Sequence, residues 1–168
     1  MNAKPAPSIP ASLIPPYQEA PVLVDGRMGR LYGASKPVDG CLLVSFRGGA
    51  CGSFPASDVR FLLDSPLAMC HAARWLAEQL GMDPGATAPG WAQYPCGEHC
   101  CNGETGEMAA CTRPVWSLGT DEGFVLFMDC PNPEAWDGEE CRHVPGIGDL
   151  TDPAAALAAA CVAVGGAP

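Results

Sequence analysis

Cys96-Gly97-Glu98-His99-Cys100-Cys101 places four soft, deprotonatable side chains within six residues, and Cys111, Cys130, Cys141 and His143 follow in the same half of the chain. A cluster of this kind holds together a region too rich in loops to build its own core, through a metal or through disulfides. Zinc suits the donors, because it takes thiolate and imidazole in a tetrahedral shell that a structural site fills with protein ligands. The two-residue gap from Cys96 to His99 is a ligand spacing, and Gly97 permits a tight knuckle. Cys100 or its neighbour Cys101 supplies a third ligand, and the fourth comes from Cys111, Cys130, Cys141 or His143. The candidate metal set is therefore Cys96, His99, Cys100, Cys111, Cys130, Cys141 and His143. No pair of Cys-x2-Cys knuckles is present. Disulfides among the cysteines from Cys96 to Cys141 are the rival reading, and an iron–sulfur cluster is a weaker one because the spacing resembles neither common ferredoxin run.

Around this stretch the elements are short. Gly (20) and Pro (18) break up a chain of 168 residues, while 48% hydrophobic and 17% charged residues mark a folded protein. The expected class is α+β: a small antiparallel β unit plus a helix, then a Cys-rich module with a β-hairpin and a C-terminal helix. Residues 1–20, with Pro5, Pro7, Pro10, Pro15 and Pro16, read as an extended proline-rich arm. Residues 21–82 form the β unit and helix. Val22-Leu23-Val24 leads into the turn Asp25-Gly26, Cys41 to Phe46 is a second run, and Val59 to Leu63 a third, a spacing that suits an SH3-like barrel. A helix over 65–80 starts at the N-cap Ser65 with Pro66 at N1 and stops before Gly81. Its apolar stripe is Met69, Ala72, Ala73, Leu76 and Leu80, with His71, Arg74 and Glu78 opposite.

Residues 83–90 read as a linker and 91–168 as the Cys-rich module. There Thr112–Leu118 and Phe124–Asp129 make a hairpin around Asp121, which sets Cys111 opposite Cys130 with Cβ atoms ~5 Å apart. Trp91, Trp116, Phe124, Phe127 and Trp136 supply apolar bulk, and an exposed Trp136 would offer a protein-binding loop. A last helix begins at Asp152-Pro153 and stops at Gly165-Gly166.

The net charge of −10 falls entirely in the second half. Seven acids balance seven bases up to Gly90, whereas from Trp91 onward only Arg113 and Arg142 face twelve acids. An acidic module does not bind phosphates by counterion release, so nucleic acid is not an expected partner. No secretory h-region is visible, and the apolar run Ala154–Val164 is short of the ~20 residues that span a bilayer, so no membrane partner is expected either. A cytoplasmic setting, or a virion, follows. Reducing cytoplasm favours metal ligands and buried thiols over disulfides.

The function these features suggest is a non-enzymatic structural or interaction protein, stapled by zinc or otherwise by disulfides with no cofactor. Its partner would be a protein, or further copies of itself through the arm, as in a phage particle. A cysteine- or metal-dependent enzyme is the alternative, with Cys51 on a glycine loop and His71 as base. An acidic mimic of nucleic acid is a third reading, poorly supported by scattered carboxylates.

Overall fold

A computed structural model of the chain describes residues 6–32, 39–96, 113–129 and 141–166, and the backbone alone at 99–101 and 108–110. Among them are two principal sheets and two helices, the α+β class expected. The first sheet is six-stranded, in the order β1-β6-β2-β3-β4-β5. Its strands are β1 (Ser8–Pro10), β2 (Pro21–Val24), β3 (Arg27–Leu31), β4 (Cys41–Phe46), β5 (Cys51–Pro55) and β6 (Val59–Leu62). All its pairings are antiparallel. The turn joining β2 and β3 has Asp25 at φ 48 and Gly26 at φ 74, the doubly left-handed geometry that matches the twist of a two-residue hairpin. Alternation sends Val22, Val24, Leu31, Leu42, Val44 and Val59 to one face, where they form a buried cluster with Ala11 and Ala56. The expected SH3-like barrel is not confirmed, since β1 and β5 are the two edges of this sheet.

The arm is part of this architecture. β1 pairs with β6 through Ser8↔Leu62, Ile9↔Phe61 and Pro10↔Arg60. Ile9 and Ile14 are fully buried, and Leu13 and Tyr17 pack against the same core. The described part of the proline-rich stretch thus docks on its own chain. Proline suits it there, because an edge strand can lack donors on its outer side.

Helix α1 (Pro66–Gln79) starts where the sequence places it: Ser65 Oγ accepts the N–H of Ala68 at 3.2 Å, and Gly81 at φ 73 takes the left-handed position after the last turn. Its buried face is Ala68, Ala72, Ala73, Leu76 and Ala77. His71, expected on the solvent side, instead packs on Tyr17 and Phe61 at ring distances of 5.4 and 5.7 Å, with Nε2 2.9 Å from Pro15 O. The segment 83–90, read as a linker, is pinned at several points. Arg74 donates to Gly85 O and Ala86 O at 2.9 Å, and Asp83 N–H donates to Glu122 Oε2 at 3.0 Å.

The second sheet runs β12-β11-β10-β7, from β7 (Gly90–Pro95), β10 (Pro114–Thr120), β11 (Gly123–Met128) and β12 (Cys141–His143). A separate backbone ladder pairs β8 (His99–Cys101) with β9 (Met108–Ala110). The hairpin of β10 and β11 exists, but its register differs from the expected one. Trp116 faces Phe127, and Thr120 faces Gly123 across the turn Asp121-Glu122. A register setting Cys111 against Cys130 would have paired Trp116 with Val125, so the turn is shorter than the glycines at 119 and 123 suggested. β12 adds a strand parallel to β11 that the sequence did not signal.

Helix α2 (Pro153–Gly165) is capped by Asp152, whose Oδ1 accepts from Ala154 N–H at 3.1 Å, and it ends at Gly166. Its buried residues, Ala154, Ala156, Leu157, Ala160 and Cys161, pack against α1, β1 and β7. The largest core cluster therefore draws on both sides of segment 83–90. It contains Ile9, Ile14, Phe61 and Leu76 together with Trp116, Leu118, Phe127, Ile147 and Leu157. Trp91 stacks on Trp116 at 5.3 Å and 13°, and their indole N–H groups donate to Pro153 O and Leu150 O. Both rings are thus core groups with a satisfied polar end. Phe124, expected in the same core, is 54% exposed.

Candidate metal or disulfide clasp

The second sheet has two unlike faces. Alternation along β10 and β11 turns Trp116, Leu118, Val125 and Phe127 toward the shared core and turns Val115, Leu126 and Met128 away from it. On that outer side Val115 and Met128 are nearly fully buried, with Cys96, Leu126 and Cys141 packed against them. Cys96 is held at the end of β7 by its N–H, which donates to Arg113 O at 2.9 Å. Cys141 lies in β12 opposite Leu126, and His143 lies opposite Met128. The two residues of β12 are two apart in a strand, so both belong to the outer face.

The sheet order decides which of these can share an ion. β7 and β12 are opposite edges of a four-stranded sheet, three interstrand spacings apart, or about 14 Å at ~4.8 Å each. Ligands of one tetrahedral zinc lie about 2.0 to 2.3 Å from it. Cys96 therefore does not share a single ion with Cys141 or His143. Of the expected set, the described side chains of Cys96 on one hand and of Cys141 and His143 on the other thus stand at opposite edges of the sheet. A disulfide between Cys96 and Cys141 is ruled out by the same span, since bridged Cα atoms lie within about 7 Å.

At the β12 end, His143 Nε2 sits 3.4 Å from Asp129 Oδ1, and Asp129 Oδ2 accepts the N–H of Gly146 at 2.8 Å. Both side chains are 41% exposed, so the pair adds less than about 1 kcal/mol when the imidazole is protonated. Its role is orientation: a carboxylate on one ring nitrogen leaves the other available as a donor or ligand. Asp129 was not singled out from the sequence, where only its position beside Cys130 would have suggested it. Arg113 Nη1 also reaches this end and donates to Asp129 O at 3.2 Å.

Among the described residues no group of three or more His, Cys, Asp or Glu side chains is arranged to hold a metal. Cys111 and Cys130 lie outside the described residues, as do Glu98 and Trp136, and His99 and Cys100 are described by backbone alone. In that backbone His99 pairs with Ala110 and Cys100 with Ala109.

The cysteines outside the cluster are dispersed. Cys161 is buried between the helices with Sγ 3.9 Å from Ala72 O, and burial pushes its thiol from 9.0 up to about 12, which makes it inert. Cys41 and Cys70 are half-buried. Cys51 is exposed on β5, at the far edge of the first sheet, with Gly49 O 3.9 Å from its Sγ. The ring and carbonyl partners of His71 are on β6 and the arm, so the structure does not bring Cys51 and His71 together as nucleophile and base.

Comparison with protein-family models, with curated proteins and with solved structures found no match. No helix among the described residues is long and apolar enough to cross a membrane.

Proposed function

We propose that the chain is a non-enzymatic structural or protein-interaction protein whose acidic, Cys/His-rich stretch is fastened by zinc or by disulfides, acting in the cytoplasm or within a particle such as a virion. The observation that supports the fastened layer is the small size of the outer cluster. Val115 and Met128 are its two buried residues, and burying two such side chains contributes about 3 to 6 kcal/mol. Ordering each backbone residue costs about 1 to 2 kcal/mol, so a layer on this face needs a link stronger than its own packing. Cysteines at both margins of the cluster are placed to supply that link, and the separation of Cys96 from Cys141 and His143 favours two fastenings over one.

The interaction reading is supported by charge. The acidic half carries the whole −10, while the solvent side of the first sheet presents Arg30 and Arg60 beside exposed Met28 and Leu43. Mixed basic and apolar surface of this kind suits a protein partner more than a small substrate. Metal analysis combined with a thiol count, on protein purified without reductant, tests the fastening. Bound zinc whose release frees additional thiols supports the metal form, and thiols still missing after unfolding, without zinc, support disulfides. Ten thiols titrated after unfolding of zinc-free protein, which exposes Cys161 as well, would remove the fastening altogether.

A further inference from the structure

The two edges of the first sheet are defended differently. β1 ends in Pro10, which has no donor for an incoming strand and whose C=O already accepts from Leu13 N–H and Ile14 N–H. β5, at the opposite edge, reads Cys51-Gly52-Ser53-Phe54-Pro55, with no charge in the strand and a proline only at its end.

Hydrogen-bond parity shows which groups of β5 are open. Phe46 N–H donates to Ala50 O at 2.8 Å and Ala56 N–H donates to Gly40 O at 2.9 Å. Antiparallel ladders alternate, so in this register Val44/Gly52 and Leu42/Phe54 are the bonded pairs between β4 and β5. Consistently, Leu43 O is directed at β3's side, accepting from Tyr32 N–H at 2.8 Å. The N–H and C=O of Cys51 and of Ser53 therefore point away from the sheet, while the C=O of Pro55 accepts Asp58 N–H at 2.9 Å in the turn that follows. All three residues are exposed.

We propose that β5 pairs with β5 of a second copy of this chain, antiparallel about a two-fold axis at Ser53. In that pairing Ser53 faces Ser53 of the second copy and exchanges both backbone bonds with it. Cys51 N–H falls opposite Pro55 C=O of the second copy, which already accepts Asp58 N–H and can take it only as a second donor, so the pairing rests on about two full backbone bonds. The proline leaves no unmet donor at the ends. On the other side of the strand, Gly52 falls opposite Phe54. The ring of Phe54 already lies over its own Gly52, 2.7 Å from where a Cβ would be, so no side chain opposes the approach of the second strand.

Charge selects the same arrangement. Arg47 stands exposed at the hairpin tip beside Cys51, while Asp58 and Asp39 stand exposed at the other end, beside Pro55 and Gly40. An antiparallel pair brings the Arg47 end of each copy to the Asp58 end of the other, and a parallel pair would set like against like. Two short strands bury less than a standard interface, so the dimer is weak, reversible and dependent on concentration. It rests on the interaction reading above, but it fails separately, because it makes no use of the cysteine fastening.

The test is sedimentation velocity of the full chain with reductant present, from about 10 to 500 μM, the range in which a weak dimer shows. The average mass should rise from 17.4 kDa toward twice that value. Ser53→Pro and Ser53→Lys should both hold it at the monomer, and an unchanged melting temperature confirms that the exposed position tolerates them. Arg47→Glu should weaken the dimer, and Arg47→Glu with Asp58→Arg should restore it. Ser53→Cys should cross-link to itself on oxidation, since facing residues of a bonded pair have Cα atoms about 5.5 Å apart, within disulfide reach. A wild-type mass that stays at the monomer, a dimer that survives Ser53→Pro or Ser53→Lys, or a cross-link mapped away from position 53 overturns the proposal.

Discussion

Ile14 lies in a stretch whose prolines suggest a free arm, yet its side chain is fully buried in the main core. Ile14→Ala removes three carbons, worth about 2.4 kcal/mol of transfer free energy at ~0.8 kcal/mol each, and it leaves a cavity that adds to the loss. The expected cost is about 3 kcal/mol. For a chain of this size each kcal/mol moves the melting temperature by about 2 to 4 °C, so the midpoint should fall by about 6 to 12 °C. Leu43→Ala is the matched control, because Leu43 is 41% exposed and its loss should shift the midpoint by less than about 2 °C. Thermal unfolding followed by far-ultraviolet circular dichroism, with urea titration of both variants, reads the difference. An Ile14→Ala midpoint within about 2 °C of wild type would show that the arm does not hold the core, and the account of residues 8–17 as structural would have to be given up.

Cys161 predicts a pH dependence. Its folded-state pKa is raised by burial to about 12 from 9.0, so the folded form retains a proton that the unfolded chain releases. Stability from this group is fully present below pH ~9 and declines by about 1.4 kcal/mol per unit as pH rises toward 12. Cys161→Ala should flatten that part of the urea-derived stability curve, and an identical slope in both proteins refutes the assignment. Asp152→Ala should cost about 1 kcal/mol through loss of the cap on Ala154 N–H, read as a melting shift of about 2 to 4 °C. Gly165→Ala should lower the midpoint, although alanine favours helices by about 1 kcal/mol over glycine. Its Cβ would press on Leu13 and come within 2.6 Å of the Trp75 ring. Leu13→Ala in the same chain should recover part of the loss, and a Gly165→Ala protein that melts higher than wild type would contradict the packing.

Local signals carried the helices well because each end has its own chemistry. Ser65-Pro66 and Asp152-Pro153 start helices with a side-chain acceptor and a residue that needs no donor, and those rules act within four residues. The turn at Asp25-Gly26 was equally legible. What was missed depends on contacts distant in sequence. Nothing near Ile9 or His71 says that they meet Phe61, because proline content reports backbone stiffness and not docking. β12 pairs in parallel across an intervening segment, so Cys141 to His143 carried no strand signal of their own. The metal candidates were legible as residue types. The separation of Cys96 from Cys141 and His143 was not, because it follows from sheet order, which no local spacing encodes.

The charge boundary near residue 90 invites a division of the chain into two modules, but the packing divides it along a different surface. The inner face of the second sheet, with Trp116, Leu118 and Phe127, shares one cluster with Ile9, Phe61 and α1, so the neutral and acidic halves are joined through their largest apolar residues. Charge and core differ because a net charge is carried by solvated side chains, whereas cohesion is set by buried ones. The sheet itself separates the shared core from the cysteine-bearing layer: Val115 and Met128 face one way, Trp116 and Phe127 the other. Loss of the fastening at Cys96 should therefore loosen only the outer layer. Cys96→Ser should speed hydrogen exchange at Arg113 and Val115 while leaving the near-ultraviolet signal of the Trp91–Trp116 stack intact. A variant that loses that signal would show that the outer face, and not the shared core, holds the second sheet in place.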